Sequence, residues 1–385
     1  MGILKMGVKN MKKILVVFSL CFAILCSGCK VNVYDYDKND NSDVPTTLIN
    51  TTGSQTIETD LTKLYNNTVK SVVTVLNYAS YYDRGQIVTS LYGSGSGFIY
   101  AYDDNYIYLY TNAHVVSVGT GYNQSYYEIV FYDGVRSYGN LVAKDGSEDV
   151  AIMKVGRESQ SFAVASIGNS DTVNPGEDIF ALGSPLGLDY SNTITKGIVS
   201  NVEVGIDTDD DGDGNATTMY LIQVDASLNP GNSGGPLFNM KGEVVGVNTL
   251  KIMTNDGGED VETFNFAIPI NHFVMVTNSL AENGSYKRPL MGVTVIDVKD
   301  MPLKDKDSYG IKIYKGIYIE SVSSSGASNG VLSKGEIIIK INDIVIDDMA
   351  DFSCQLYKYE SGDSIRVTTV DVNGNNMKNH NIVLK

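Results

Sequence analysis

The feature that most constrains this chain is its punctuation beyond Leu61. Short runs rich in β-branched and aromatic residues, Ser71 to Leu76, Ser96 to Tyr100, Tyr106 to Thr111, Tyr126 to Tyr132, Val150 to Val155 and Ile179 to Leu182, are separated by Gly, Asn and Asp. Runs this short between turn-forming residues suit strands that pack on their neighbours rather than self-sufficient helices. Repeated at this spacing they predict an all-β sandwich or barrel. The 25 tyrosines agree, because aromatic rings pack well on pleated surfaces.

Near Asn271 the period changes. Asn271 serves as a candidate N-cap, Phe273, Val276 and Leu280 follow at helical spacing, and Gly284 can stop the helix. A domain boundary is expected just beyond, before Arg288-Pro289. From residue 286 to 385 the pattern predicts a smaller α+β module, with strands at Gly316 to Val322 and Glu336 to Ile341 and one helix near Asp351 to Tyr359. With 385 residues and a prior of roughly 150 per domain, two or three domains are expected. The predicted division is 1–28, 29–60, 61–285 and 286–385.

The first segment reads as an address. Lys9, Lys12 and Lys13 precede an apolar run from Ile14 to Leu25. As a helix that run reaches only about 18 Å, short of a ~30 Å hydrocarbon core, as in an export signal. Cys26-Ser27-Gly28-Cys29 resembles the lipobox of bacterial lipoproteins, which implies acylation at Cys29 and an extracytoplasmic, membrane-anchored body. An uncleaved membrane helix is the alternative. Residues 30 to 60, rich in Asp, Asn, Thr and Ser, read as a flexible tether.

Composition removes several functional classes. Hydrophobic content of 43% with 19% charged residues excludes wholesale disorder. A net charge of −16 would repel phosphate backbones, so no nucleic-acid partner is expected. Of the four cysteines, Cys21, Cys26 and Cys29 crowd the N-terminal segment and Cys354 stands alone, which argues against a disulfide framework. The only histidines, His114, His272 and His380, are far apart, so structural zinc is not expected, nor any cofactor.

The chemistry concentrates in Gly231-Asn232-Ser233-Gly234-Gly235-Pro236-Leu237. A serine hydroxyl is a weak nucleophile and needs a base to take its proton and N–H groups to hold an oxyanion. Flanking glycines allow unusual backbone angles and close approach by a substrate. Alone, the heptapeptide is equally a Gly-rich turn whose serine caps something, so its partners must decide. His114 follows an apolar strand, where it can be presented to a cleft, whereas solvated or structural roles are favoured for His272 and His380. The orienting carboxylate is assigned to Asp149 at the head of the run Val150 to Val155, with Asp145 and Glu148 as near competitors.

The resulting order, His, Asp, Ser, is that of chymotrypsin. Gly95 to Ile99, Thr111 to Val116, Asp149 to Val155, Ala181 to Gly187, Gly197 to Ser200, Gln223 to Leu237 and Phe266 to Pro269 together resemble the HtrA (DegP-like) family of trypsin-like serine proteases. The resemblance implies a chymotrypsin-like double β-barrel with His114, Asp149 and Ser233 in the cleft between the barrels. It also implies an oxyanion hole from Gly231 and Ser233, with Asn232 shaping the turn. Ser227 and Leu228 would lie at the primary specificity pocket. With no carboxylate at Ser227, small or medium aliphatic side chains are expected before the scissile bond rather than Lys or Arg.

The C-terminal module resembles a bacterial PDZ domain, carried by Pro289 to Val293, Gly316 to Val322, Ser325 to Ala327 and Gly335 to Asn342. That implies capture of peptide C-termini by strand addition, with Leu290, Met291, Gly292 and Val293 receiving the carboxylate. Cys354 is read as a small buried or groove-lining residue. Asp207, Asp209 and Asp211 open like a calcium loop, but Thr218 stands at the twelfth position, so a solvated acidic loop is the preferred reading.

The leading expectation is therefore a surface-tethered serine endopeptidase acting on misfolded or damaged proteins. A holdase-type chaperone with secondary proteolysis and a narrow-specificity processing protease are the alternatives. Family resemblance further implies a homotrimer.

Overall fold

The computed structural model describes residues 61–185, 187–208, 217–249 and 265–385. A short helix, α1 (Leu61–Thr68), leads into six strands: β1 (Val72–Asp83), β2 (Gln86–Tyr102), β3 (Tyr106–Thr111), β4 (Asn123–Phe131), β5 (Arg136–Asp145) and β6 (Val150–Gly156). They close into a barrel in the order β1-β2-β3-β6-β5-β4. Val73, Val75, Ile99, Leu109, Ile129 and Met153 fill its interior. Val72, Phe98, Tyr110 and Ile152 alternate with these and join a second core on the outside of the barrel. Burial on both faces is why these strands read as apolar runs rather than as a simple alternation.

Seven further strands follow: β7 (Ser166–Ile167), β8 (Asp178–Gly183), β9 (Thr193–Thr208), β10 (Thr217–Val224), β11 (Pro236–Asn239), β12 (Glu243–Thr249) and β13 (Asn265–Pro269). Their order is β11-β8-β9-β10-β13-β12-β7, and a β11–β12 pairing closes the sheet into a second barrel. Phe180, Leu182, Phe238, Val247 and Phe266 share one core with Val72, Phe98 and Tyr110 of the first barrel. Helix α2 (Ile270–Asn283) seals that core with Phe273, Val276 and Leu280.

Gly284 ends α2 as expected, at φ 73° with its N–H on the Leu280 carbonyl. The expected cap at Asn271 is not used; the helix begins at Ile270 behind Pro269. Instead the Asn271 side chain accepts from Ser170 N–H (3.1 Å) and donates to Asn169 (2.7 Å), joining the helix to the preceding loop. The first hairpin also runs further than expected. β1 and β2 pair out to Asp83 and Gln86 across Arg84-Gly85, both at positive φ. Its outer part carries exposed Tyr82, Ile87 and Leu91 without an apolar alternation.

The C-terminal module is α+β. It comprises β14 (Val293–Asp297), α3 (Leu303–Tyr309), β15 (Ile317–Val322), β16 (Ile337–Ile341), β17 (Ile344–Val345), α4 (Met349–Tyr357), β18 (Ser364–Val370) and β19 (Lys378–Val383). The sheet order is β14-β15-β16-β18-β19, with β17 on β16. Asp348 caps α4 by accepting from Asp351 N–H, so the helix starts and ends two residues before the predicted span. Helix α3 was not foreseen: its residues, LKDKDSY, bury none of their side chains and show no apolar stripe. One face of α4 packs Phe352 into the module's core, while Cys354 and Tyr357 meet Tyr220 of β10. Cys354 is thus buried against the barrel, as one of the sequence readings expects.

Candidate active site

Two turns from the first barrel build one wall of the site. After β3, Ala113 and Val115 turn inward and are buried, leaving the His114 side chain 41% exposed between them. Before β6, Asp149 sits at φ 53°, a left-handed conformation that Asp tolerates better than most residues. Asn112 holds that conformation by donating to the Asp149 carbonyl (2.9 Å). The buried carboxylate then meets His114 twice. Oδ1 accepts from the His114 backbone N–H (3.0 Å), and Nδ1 lies 2.9 Å and 3.0 Å from the two oxygens. A carboxylate can only accept, so Nδ1 carries the proton, and the tautomer that leaves Nε2 basic is selected.

The competitors for the carboxylate role are placed elsewhere. Asp145 accepts from Ser147 Oγ (2.6 Å) and from Glu148 N–H (3.1 Å), which shapes the turn that delivers Asp149. Glu148 points away into the interior, where it meets His272 and Arg288. His380, at the last strand, contacts Thr369 (3.1 Å) far from this wall in sequence and sheet.

The second barrel supplies the turn 229–235. Asn232 N–H bonds the Asn229 carbonyl and Gly235 N–H bonds the Asn232 carbonyl, both at 2.9 Å. Because a trans peptide sets N–H opposite C=O, the Ser233 N–H points away from that Gly235 contact. Gly231 adopts φ 104° and Gly234 φ 83°. A Cβ on Gly234 would lie 2.2 Å from the Ser96 carbonyl oxygen, so no side chain fits there. Ser96 pins the whole turn: its Oγ donates to the Gly231 carbonyl (2.6 Å) and its N–H to the Ser233 carbonyl (2.8 Å). Gly95 is where the two walls meet, since a Cβ on it would stand 2.6 Å from Val115 and 3.1 Å from the Ser233 oxygen.

Four contributors escaped the sequence reading. Thr249 Oγ1 donates to Asp149 Oδ2 (3.0 Å), while the adjacent Asn248 exchanges backbone bonds with Gly234 (2.8 Å) and Gly235 (2.9 Å). Two neighbouring residues of β12 thereby link the serine turn to the carboxylate. Asn112 and Ser96 lie inside the resembling stretches, but nothing in their type announces these bonds. Thr249 carried no signal at all beyond its place at a strand end.

The remaining candidates are scattered. Ser227 is exposed and Leu228 is buried on the stretch before the serine turn, and Asp225 is tied by Oδ1 to Ile198 N–H (2.6 Å). Leu290 is exposed and pairs its backbone with Lys385, Met291 is buried, and Gly292 at φ 72° packs against Gly326 before Val293 opens β14. β14 stands at the end of its sheet. Asp207 lies near the end of β9, its backbone paired with Thr218 of β10, so strands rather than helices flank the acidic loop. Asp209, Asp211 and Cys29 lie outside the described residues. No cluster of three or more metal-binding side chains occurs among the described residues, and among them no helix is long and apolar enough to cross a membrane.

Paired β-barrels define the fold, a histidine bound to a buried carboxylate stands on the first of them, and residues 95–247 match the trypsin-like peptidase domain. Among curated proteins, the Serine protease Do-like HtrA of Lactobacillus helveticus is 35% identical over 286 residues, covering 74% of this chain and 66% of that protein. Its Bacillus subtilis counterpart is 35% identical over 281 residues, covering 71% and 60%. That of Lactococcus lactis subsp. lactis is 30% identical over 332 residues, covering 81% and 80%. The chain belongs to the HtrA family of Do-like serine proteases. It spans somewhat less than two thirds of the length of the first two relatives. Among solved structures, the HtrA-type protease AlgW with decapeptide superposes with a TM-score of 0.59 at 22% identity, covering 84% of this chain and 97% of that one, a likeness of fold.

Proposed function

We propose that this chain is an exported serine endopeptidase that hydrolyses misfolded or damaged envelope proteins through His114, Asp149 and Ser233. The observation that carries the reading is the double contact of the Asp149 carboxylate with His114 N–H and Nδ1, which orients the ring and selects its tautomer.

In this reading the substrate carbonyl is attacked by Ser233 Oγ while His114 Nε2 takes the hydroxyl proton. Asp149 stabilises the imidazolium that forms and stays ionised itself. The N–H groups of Gly231 and Ser233, aimed by the Asn232 turn, receive the oxyanion. Collapse of the tetrahedral adduct breaks the C–N bond as His114 returns the proton to the leaving amine. Water, deprotonated by the same nitrogen, then releases the acyl group and restores Ser233.

The C-terminal module is read as a PDZ domain because β14 is an edge strand that begins at the Leu290 to Val293 loop, which suits addition of a peptide strand. Ser227 and Leu228 are assigned to the primary pocket, with cleavage after small or medium aliphatic residues. Cys29 is the proposed lipid attachment site, placing the enzyme outside the cytoplasm on a bacterial cell membrane. A homotrimer is the proposed assembly.

Fluorophosphonate labelling of the full-length chain in detergent tests the core of this proposal. Peptide mapping should place the label on Ser233, and Ser233→Ala should lose both labelling and casein cleavage. Unchanged casein cleavage by that variant would overturn the assignment. Suppression of aggregation surviving in it would add a chaperone function.

A further inference from the structure

We propose that Glu148 is a positioning residue for Asp149, and that the clamp holding Glu148 is completed by the C-terminal module. The inference rests on the reading of Asp149 as the orienting carboxylate.

Glu148 has no exposed surface, although it directly precedes Asp149 in a loop. Its carboxylate accepts from His272 Nε2 (2.9 Å) on α2 and from Arg288 Nε (2.5 Å) on the connector between barrel and module. His272 is buried as well, and its Nδ1 lies 3.0 Å from the Tyr357 carbonyl at the end of α4. With a carboxylate on one nitrogen and a carbonyl on the other, both nitrogens must donate. The Tyr357 ring stacks on the imidazole at 3.5 Å and 14°, and the Arg288 guanidinium lies 5.7 Å over the same ring. Arg288 also donates to the Thr218 carbonyl (3.0 Å). Two side chains thus hold Glu148 directly, and α4 and β10 hold those two in turn.

The link to the site is the backbone. Asp149 holds φ 53°, which persists only where its surroundings over-determine it. On one side Asn112 grips its carbonyl and His114 its carboxylate. On the other, the Asp149 N–H donates to the Gly146 carbonyl (3.3 Å), and the preceding residue, Glu148, is anchored at its N–H by Asp145 and at its side chain by the clamp. Releasing the Glu148 side chain lets the peptide between the two residues turn. Asp149 then relaxes toward an ordinary conformation and its oxygens leave the His114 N–H and Nδ1.

The test measures kcat and KM for a casein-derived peptide, together with fluorophosphonate labelling rate and urea midpoint, on the full chain. Glu148→Ala should lower kcat and labelling rate in parallel by about 10²-fold, the scale of an ångström of misplacement, with KM unchanged. Glu148→Gln, which keeps an acceptor for Arg288, should recover part of the loss. Tyr357→Ala should lower kcat by about tenfold, whereas Tyr357→Phe, which keeps both ring and carbonyl, should match the wild type. Folded Glu148→Ala or Glu148→Gln with wild-type kcat and labelling would overturn the proposal, as would a change confined to KM. Should Glu148→Ala not fold, Glu148→Gln and Tyr357→Ala decide the matter. An unaffected Tyr357→Ala beside impaired Glu148 variants would overturn the part given to the Tyr357 ring and confine the module's contribution to the backbone carbonyl. Failure of the underlying reading shows differently: the wild type would not label at Ser233, or Ser233→Ala would still cleave.

Discussion

Consecutive residues of one turn, Glu148 and Asp149, each bind an imidazole, and the two pairs are nearly identical in length at 2.9 Å. Their surroundings separate them. His114 keeps 41% of its side chain exposed, while His272 keeps 3% and has acceptors at both nitrogens. A ring with one nitrogen committed to a carboxylate can exchange a proton at the other; a ring committed at both cannot do so without breaking the structure. The cations facing the two acids differ too. Burial alone would raise the Glu148 carboxyl, but the bond and charge of His272, with the Arg288 guanidinium, outweigh it and hold the group down at about 2. The same guanidinium–carboxylate contact raises Arg288 against its own desolvation. One acid–histidine pair is therefore suited to turnover and the other to anchoring.

The contrast can be broken most severely at Asp149. Asp149→Asn should lower kcat by about 10⁴-fold while leaving the urea midpoint close to that of the wild type, because an amide of the same shape no longer enforces the productive tautomer. At the anchoring pair the loss should appear in stability as well as in rate. Arg288→Met leaves the buried Glu148 with His272 alone and should cost about 3 kcal/mol in urea unfolding, near the lower end for a broken buried pair because Arg288 is partly exposed. Equal stability in wild type and variant would contradict it.

Acid titration sharpens the comparison further. The folded Glu148 carboxyl lies below its ordinary value of 4.5, so its stabilising contribution is complete above that pH and declines as pH falls toward about 2. The amount is on the order of 3 kcal/mol, and Glu148→Gln should flatten this part of the stability profile. A variant curve parallel to the wild type through this window would show that another group titrates there. The smallest effect belongs to Thr249→Val, which removes the donor to Asp149 Oδ2 and should lower kcat by about tenfold, within the range of a hydrogen bond to a charged group.

Much of the fold was legible because barrel strands announce themselves locally. Tyr106 to Thr111 was read at its observed bounds, and Val150 to Val155 fell one residue short. The outer hairpin was missed because its exposed residues follow no apolar period, and α3 because it buries none of its side chains. Asn271 misled because a residue well suited to capping was drawn into bonds with Asn169 and Ser170. At the site, the Gly-rich heptapeptide nominated the serine, and position beside an apolar strand selected one of three histidines and one of three acids. Glu148 and Asp149 could be ranked only by which one adjoined the apolar run, a criterion too coarse to foresee that Glu148 has a buried partner of its own.

What the amino-acid order determined by itself is the β-rich body, the change of period near α2, and the side-chain chemistry available to a nucleophile. Those are local matters of propensity, patterning and functional groups. What tertiary structure decided is which acid faces which imidazole, that Thr249 reaches Asp149 across 100 positions, and that His272 reaches Glu148 across 124. Contacts at such separations depend on how the two barrels, α2 and α4 pack, and no short window of sequence contains the partners whose burial sets the outcome.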